Sequence, residues 1–381
     1  MTQQNRGMSR RSFLKAGGVS MLSAILAGCA SKAPAVVATV APASAQGQNQ
    51  GGNALAGRKP SAPPEVTEIT VGSANPNYAT QAIYWIAKEK GYFDEEGFKN
   101  VEIITASENF AGIVGGSIHF GDVDSSDVFV SAKENVPVKM LGTWRDREWQ
   151  ILGLSPSVKK PEDLKGGKCI LGTPGTREYD MRAAAIKNWS KGAVDPEKDL
   201  DPIEISGASD AYNQALLADQ VQVAVQFPRH VKSIRKAGGQ VILGGWLEIP
   251  QEGLITHADF LAKNPQTVTN FIRATIKGRA DWLNHDLKDE IIALMKKNDF
   301  NITPDFEEAY YVEPEQYSLH GGFRMQAMYN FIHQLAQYGT VPADLKYEVF
   351  TDLKPLHQAQ TELLGNAWPP PKDQSLLSLY E

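Results

Sequence analysis

The chain has 381 residues, with 38 Lys and Arg against 44 Asp and Glu and a formal net charge of −6 at pH 7. This balance leaves no basic surface of the kind that nucleic-acid-binding proteins present, so nucleic acid is excluded as a partner. The net charge favours a well-solvated monomer. After the first thirty residues no apolar run is long enough to predict a membrane-spanning helix.

The first predicted element is an export signal. Arg10-Arg11 stands directly before an apolar run over residues 16–27, which is the layout of a twin-arginine signal. The run ends in Leu26-Ala27-Gly28-Cys29, which resembles a lipobox in which Cys29 is lipidated; the alternative is an ordinary signal peptide with an incidental cysteine. We therefore expect residues 1–28 to be a lipoprotein signal peptide, with export by the twin-arginine or the general route. The mature protein would be extracytoplasmic and anchored to the membrane through Cys29.

The signal is followed by a segment without large apolar side chains. Residues 30–65 consist almost entirely of Ala, Pro, Gly, Gln, Asn and Ser. Such a composition cannot bury enough apolar surface to fold alone. We therefore predict a flexible tether over residues 29–65.

From Val66 onward strand-like runs alternate with helical patterns. The first series predicts strands at 68–72, 101–104, 119–122 and 138–141, and helices at 76–90, 112–117 and 125–134. A second series from about Leu154 predicts strands at 168–171, 202–205, 221–226 and 240–243, and helices at 177–189 and 210–218. Long helices at 265–284, 286–297 and 323–338 follow. The alternation predicts α/β architecture with doubly wound, mostly parallel sheets and a helical C-terminal part.

Three local patterns predict which side chains are buried. In the helix at 177–189, the inward face carries Met181, Ala184, Ala185 and Trp189. In the helix at 265–284, Asn264 is the expected N-cap, and the inward positions are Val268, Phe271, Ile272, Thr275, Ile276 and Leu283. Cys169, which has no partner for a disulfide in the mature chain, lies in a short run typical of a buried strand.

Several stretches resemble one family. Residues 83–98 combine an apolar helix with Gly-Tyr-Phe and Glu-Glu-Gly-Phe, and residues 116–121 read Gly-Ser-Ile-His-Phe-Gly. Residues 160–168 contain Asp-Leu-Lys-Gly before a strand and the loop Gly172–Thr176. In this order the motifs are similar to those of ABC transporter solute-binding proteins of the nitrate, sulfonate, taurine and thiamine-precursor branch, which includes riboflavin binders. His119 replaces the usual Asp, and residues 219–223 lack the usual Gly and Asp.

The resemblance implies a two-lobed, type II periplasmic-binding-protein fold. Lobe 1 would comprise residues 66–150 plus 258–381, and lobe 2 residues 151–257. Two crossovers would join the lobes, near residues 150–154 and 246–255, and ligand would bind in the cleft between them. The implied partners are a small-molecule solute, an ABC permease and its ATPase.

Candidate ligand-binding residues lie in the strand-to-helix loops, because the carboxyl ends of the strands form the binding edge of such sheets. Four of them have a structural alternative. Asn75 is also a good N-cap before Pro76, and Trp85 has the spacing of a core residue. Asp124 could instead cap the helix that follows it, and Trp144 could be a packing residue. The predicted ligand-binding residues are Asn75, Tyr78, Trp85, Asn109, Asp124, Ser125, Trp144, Thr173, Thr176, Tyr179, Gln226 and Phe227.

Catalytic motifs are absent from the sequence, which contains no Walker A loop, dinucleotide fingerprint, nucleophile elbow or zinc-protease helix. The seven histidines are scattered, so neither metal nor cofactor is expected. We therefore expect no enzyme but a binding protein for a small heteroaromatic nutrient, riboflavin or a thiamine-type pyrimidine. The first alternative is an alkyl or aryl sulfonate, nitrate or related oxyanion held by the Gly172–Thr176 loop with Arg145, Arg177 or Arg229. The second alternative is an enzyme on the same fold.

Overall fold

The computed structural model describes residues 53–73, 82–105, 109–145, 148–172, 177–205, 209–310, 320–323, 325–337 and 339–365. All of them belong to one compact unit, Gly51–Glu381. Their strands form two five-stranded sheets flanked by helices. The α/β architecture with two wound sheets is therefore confirmed.

The regular elements follow the alternation of the sequence. In chain order the strands are β1 (Glu68–Ser73), β2 (Asn100–Thr105), β3 (Phe120–Asp124), β4 (Val138–Arg145), β5 (Glu148–Leu154), β6 (Gly167–Ile170), β7 (Leu200–Pro202), β8 (Val223–Gln226), β9 (Gln240–Leu247) and β10 (Glu252–His257). The helices are α1 (Ala82–Glu89), α2 (Tyr92–Glu95), α3 (Asn109–Val114), α4 (Ser125–Lys133), α5 (Arg177–Trp189), α6 (Pro196–Asp199), α7 (Ser209–Leu217), α8 (Val231–Lys236), α9 (Ala258–Lys263), α10 (Pro265–Trp282), α11 (Lys288–Lys297), α12 (Pro304–Ala309), α13 (Met325–Gln337) and α14 (Lys354–Leu364).

Each sheet contains one strand that runs against its neighbours. The first sheet has the order β2-β1-β3-β10-β4, with β10 antiparallel to β3 and β4. The second has the order β7-β6-β8-β5-β9, with β5 antiparallel to β8 and β9. Strands β5 and β10 are not among the strands predicted from the sequence.

The chain crosses between the sheets twice. Residues 146–147 connect β4 to β5, and residues 248–251 connect β9 to β10. The first crossover lies before the expected position at residues 150–154. Strand pairing also places β10 in the first sheet, whereas residues 151–257 were expected to form lobe 2.

We call the first sheet with the helices that pack on it the first lobe, and the second sheet with its helices the second lobe. Helix α10 lies at the centre of the first lobe. Its Phe271 ring stacks on Phe120 of β3 with centroids 4.0 Å apart, and the apolar cluster around it includes residues of α1, α11 and α14. Nearly every side chain of α10 is buried, including Asn270, Arg273 and Lys277. An amphipathic helix exposes its polar face, so something must cover the polar face of α10.

The cover is the N-terminal segment, residues 53–65, together with α2 and α14. The Asn53 amide donates to the carbonyl of Lys277 at 2.8 Å, and the Asn270 amide donates to that of Ala62 at 3.0 Å. Leu55 is buried in the apolar cluster of α10. The expected tether over residues 29–65 therefore differs from the structure, in which the segment is part of the folded body from Asn53 onward.

Buried charges under this segment form a network. Arg273 Nε lies 2.6 Å from Glu96 Oε2, and Lys277 Nζ lies 2.7 Å from Glu96 Oε1. All three side chains are fully buried. The carbonyl of Arg58 accepts from Arg273 at 2.7 Å and from Lys277 at 2.9 Å, so the N-terminal segment completes the shell of both cations.

Helix α5 packs on the second sheet through a face that agrees in part with the predicted one, because Ala185 is buried in the apolar cluster there and Trp189 packs against that cluster. Ala183 and Ile186 are buried in the apolar cluster beneath the sheet, with Ala185. Of the predicted inward set, Ala184 is exposed and Met181 and Trp189 are half-buried. These three residues line an open groove between α5 and β9, of about 300 Å³. Arg182, between Met181 and Ala183 in this helix, is buried instead.

Cys169 is buried beneath the same sheet as a free thiol. Burial raises its pKa to about 11, so it stays protonated and behaves as a small core residue, as expected.

Candidate functional site

The carboxyl ends of β1, β3 and β4 lie at the edge of the first sheet from which the chain crosses to the second. The carboxyl ends of β6 and β8 lie at one edge of the second sheet. In wound sheets ligands bind outside these ends. The side chains at these positions are therefore the candidate site.

Two residues of the first lobe bring unpaired polar atoms to this edge. Asn109 begins α3, is 3% exposed and donates from Nδ2 to the carbonyl of Asp122 at 3.3 Å. Its Oδ1 has no hydrogen-bond partner among the residues that the structure describes, nor has the fully buried hydroxyl of Ser125, which begins α4. A Cβ at Gly72 would lie 2.4 Å from Asn109 Oδ1, so this glycine is what allows the amide to lie against β1.

Asp124 has a local role instead. It is exposed, and its Oδ1 accepts from the N–H of Ser126 at 2.8 Å and from the hydroxyl of Ser126 at 2.6 Å. These bonds make it the N-cap of α4. The capping interpretation therefore explains Asp124 without a ligand.

Gln226 is the corresponding residue of the second lobe. It is the last residue of β8 and is 1% exposed, and both amide atoms lack a hydrogen-bond partner in the described part of the chain. A free carboxamide offers one acceptor and two donors. Leaving it buried and unpaired costs about 1 to 3 kcal/mol, which a bound ligand could offset.

The turn after β8 is held by a polar network. Phe227 is half-buried, and the guanidinium of Arg229 lies 4.9 Å from its ring centroid. Arg229 also donates to Ser209 Oγ at 2.6 Å. The N–H of Phe227 donates to Nδ1 of His230 at 3.4 Å, so Nε2 carries the proton and donates to Asp210 at 2.9 Å. The bond from His230, opposed by burial and assisted by Arg229, lowers the pKa of Asp210.

Trp144 lies at the carboxyl end of β4 as predicted, but it is a core residue. The side chain is 1% exposed, and the guanidinium carbon of Arg279 lies 3.8 Å from its ring centroid. Gly321 lies so close to the ring that a Cβ there would be 2.2 Å from Cζ3. A ring covered in this way does not form the exposed wall of a cleft in this conformation.

A buried acid lies beside this tryptophan. Tyr84 donates to Asp122 Oδ2 at 2.6 Å, and both side chains are buried. Burial, reinforced by the nearby charge of Glu252, raises the pKa of Asp122 to about 7, against the opposing effects of Tyr84 and Arg279. Asp122 is not among the predicted ligand-binding residues; its signal in the sequence is a group of three acids, Asp122, Asp124 and Asp127, at the end of a strand.

The other predicted residues fall into two groups. Tyr179 is buried in the apolar cluster under the second sheet. Trp85 packs edge-on against Phe300, with centroids 5.3 Å apart, which agrees with the core alternative. Asn75, Tyr78, Thr173 and Thr176, as well as Cys29, lie outside the described residues.

Arginines near the carboxyl ends already have protein partners. Arg145 lies 3.2 Å from Glu252, and Arg229 lies 3.6 Å from Asp210. Arg182 donates to Gln150 Oε1 at 2.7 Å and to the carbonyl of Leu171 at 2.9 Å. These three arginines therefore pair with acceptors of the protein itself at this edge.

Within the described residues no group of three or more His, Cys, Asp or Glu side chains is arranged to hold a metal ion. A helix with the length and apolar character needed to cross a membrane is likewise not found in that part of the chain.

The geometry can now be compared with known proteins. The chain is 24% identical over 239 residues to the riboflavin-binding protein RibY of Chloroflexus aurantiacus, a match that covers 59% of this chain and 65% of RibY. The chain thus spans less than two thirds of the length of this curated relative.

Solved structures show the same fold. The periplasmic nitrate-binding protein NrtA from Synechocystis PCC 6803 is 17% identical and superposes with a TM-score of 0.56, covering 82% of this chain and 92% of NrtA. The periplasmic aliphatic sulphonate-binding protein SsuA from Escherichia coli is 14% identical with a TM-score of 0.53, covering 75% of this chain and 92% of SsuA. At this identity the likeness shows the fold alone, which is that of the periplasmic binding proteins. The sequence model of the family described as NMT1/THI5 like matches residues 78–287, more than half of the chain, and the chain therefore belongs to the NMT1/THI5-like family.

Proposed function

We propose that this protein is the extracytoplasmic solute-binding subunit of an ABC importer, and that it captures a small, neutral heteroaromatic solute between its two lobes. The observation that carries the proposal is a set of neutral polar side chains at the carboxyl ends of both sheets, Asn109, Ser125 and Gln226, which are buried and have atoms without a hydrogen-bond partner among the residues that the structure describes. Buried polar groups are nearly always hydrogen-bonded in native proteins. An unpaired set at the edge where ligands bind is explained by a ligand that completes it.

The chemistry of the set favours a neutral solute over an oxyanion. The three side chains are amides and a hydroxyl, which bind donors and acceptors without charge. An anion would need an uncompensated cation or several free N–H groups, whereas Arg145 and Arg229 face carboxylates. The name of RibY, which is said to bind riboflavin, supports a ring system with amide-like edges. NrtA and SsuA are named for nitrate and for aliphatic sulphonates, which are anions and support the oxyanion alternative instead.

The remaining parts of the proposal follow from the role in transport. The solute would pass to an ABC permease driven by its ATPase, and Cys29 would hold the binding protein at the membrane. Cys29→Ala should abolish fractionation with membranes. Binding rather than catalysis predicts that the solute is recovered unchanged, and mass spectrometry of the released solute checks this.

Riboflavin is the first solute to test, by quenching of flavin fluorescence and by calorimetry, with nitrate and taurine in parallel. Gln226→Leu keeps the side-chain size and should weaken riboflavin binding by about three- to tenfold, the range for loss of one hydrogen bond. Gln222→Leu is the matched control, because Gln222 precedes the same strand and its amide bonds the backbone of Lys168 and Asp219. Stabilisation by nitrate or taurine but not by riboflavin would favour the oxyanion alternative. Equal affinities of wild type and Gln226→Leu would remove Gln226 from the site.

A further inference from the structure

Within the described residues, side-chain hydrogen bonds join the C-terminal helical part to the second lobe at two separate places. After α11, Asn301 donates from Nδ2 to Asp210 Oδ2 of α7 at 3.3 Å. From α13, Gln334 donates from Nε2 to Glu178 Oε2 of α5 at 3.3 Å. Both acceptors lie in the first turn of their helices, at the end of the second lobe that faces the first.

Each contact is supported on both sides. Asp210 is held in place by His230 and Arg229, and the residue before Asn301, Phe300, is buried in the large apolar cluster of the first lobe. In the Gln334–Glu178 contact, Gln334 is nearly buried, with 6% of its surface exposed. Met181, one helical turn after Glu178, packs against the apolar cluster to which α13 contributes.

The two contacts lie on opposite faces of both sheets. In the second lobe, α5 packs on the face that carries Cys169 and α7 on the face that carries Ile170. Neighbouring residues of a strand point to opposite faces. In the first lobe, Phe300 shares a cluster with Phe120 of β3, whereas Phe331 of α13 shares one with Val123 of the same strand. The positions 120 and 123 differ by an odd number, so these clusters also lie on opposite faces.

We infer that the Asn301–Asp210 and Gln334–Glu178 contacts form a two-sided clasp, which holds the lobes together before solute binds and sets the fraction of molecules that are closed. Both bonds join the two lobes, so separation of the lobes breaks them. The net free energy of each hydrogen bond therefore stabilises the closed state relative to the open state. A solute that binds the closed state gains apparent affinity in proportion to that fraction.

The clasp predicts a defined response to mutation. A hydrogen bond to a carboxylate at this distance and exposure is expected to shift the ratio of closed to open molecules by about three- to tenfold. Asn301→Ala and Gln334→Ala should each lower the ratio by this factor. The double variant should lower it by about the product, since the two sites share no partner.

The test measures the distance between spin labels on the two lobes of the full chain without solute. Labels are introduced with Glu102→Cys in the first lobe and Lys236→Cys in the second, both exposed positions, in a chain with Cys29→Ser. Asn298→Ala and Gln326→Ala are matched controls, because the bonds of these side chains stay within the first lobe: Asn298 bonds Leu294 and Glu89, and Gln326 bonds Asn330.

The expected result is a longer mean distance in the double variant than in wild type and in both controls. A double variant with the wild-type distance distribution would overturn the clasp. The clasp rests on the proposed function only in that solute binds between the lobes, and the spin-label distances are measured without any solute. Riboflavin titration of the same variants is a separate readout: loss of affinity by the same factor supports both proposals, whereas a protein that opens on mutation but does not bind riboflavin refutes the solute alone.

Discussion

Glu65 is the residue through which the N-terminal segment holds the first turn of α10. Its Oε1 accepts from the N–H of Gln266 at 3.0 Å, and its Oε2 accepts from the N–H of Thr267 at 2.6 Å and from the hydroxyl of Thr267 at 2.8 Å. The first N–H groups of a helix have no partner within it. Asn264 occupies the N-cap position but makes no capping bond from its side chain, so Glu65→Ala should leave these donors to water.

The cost follows from the bonds lost. Removal of a capping side chain costs about 0.5 to 2 kcal/mol, and a carboxylate at a helix N-terminus adds about 0.3 to 1 kcal/mol. Because Glu65 is largely exposed, we expect about 1 to 2 kcal/mol in total. For a domain of this size that corresponds to a melting temperature lower by about 2 to 4 °C.

Thermal unfolding followed by circular dichroism measures the effect. Glu65→Gln keeps one acceptor without the charge and should fall between wild type and Glu65→Ala. Glu68→Ala is the control, because Glu68 is exposed at the start of β1 and should leave the melting temperature unchanged. Equal melting temperatures of wild type and Glu65→Ala at pH 7 would refute the capping role.

The pH dependence gives a second check. Burial raises the pKa of Glu65, but the hydrogen bonds from Gln266 and Thr267 outweigh it, so the pKa lies below its ordinary value. A lowered folded-state pKa means that the stabilisation is present above the ordinary glutamate range and is lost as the pH falls through the lowered value. The difference between wild type and Glu65→Ala should therefore shrink in acid.

Three further outcomes are expected from buried groups. Glu96→Gln removes the counter-charge that two fully buried cations share, so it should lower the free energy of unfolding in urea by about 3 kcal/mol. The control Glu95→Gln, at a partly exposed position, should lower it by less than about 1 kcal/mol, and equal losses would contradict the network. Because the pKa of Asp122 is raised to about 7, the contribution of this carboxyl group to stability is full in acid and falls as the pH rises through 7. The melting temperature of Asp122→Asn should therefore drop less than that of wild type between pH 5.5 and pH 8, and an equal drop would contradict the raised pKa. Gly321→Ala should destabilise the folded protein by at least about 2 kcal/mol in thermal unfolding, because the φ of Gly321 is 70° and the new Cβ would overlap the Trp144 ring. Unchanged stability of this variant would contradict the packing of Gly321 on Trp144.

Elements whose signal is local could be predicted from the sequence. The bounds of α5, residues 177–189, and the position of β2 within one residue follow from periodicity and flanking turns. The strands β5 and β10 were missed because both are antiparallel insertions into otherwise parallel series. Their pairing depends on distant strands, since Glu252 of β10 pairs with Asp124 of β3 and Glu148 of β5 pairs with Leu247 of β9, and no local pattern encodes such pairing.

Burial of polar residues was the least predictable feature. Arg273 is buried because Glu96, 177 residues earlier in the chain, meets it, and Trp144 is buried because Arg279, 135 residues later, covers its ring. Periodicity identified the apolar face of α10 but placed its polar face in water. The candidate site shows the same limit, since Asn109, Ser125 and Gln226 were identified as strand-end residues, whereas their lack of partners is visible only in three dimensions.

The pairing of β4 with β10 has a consequence for how the two lobes are joined. Arg145 at the end of β4 and Glu252 at the start of β10 are cross-strand partners, so these strands are the two arms of a hairpin, and residues 146–251 occupy the place of its turn. The second lobe is closed in the same way, because Glu148 and Leu247 are also cross-strand partners. The second lobe thus begins and ends at neighbouring residues, and the first lobe is interrupted between neighbouring residues. A two-residue turn of the type that joins antiparallel strands could therefore replace the whole second lobe without altering the path of the first.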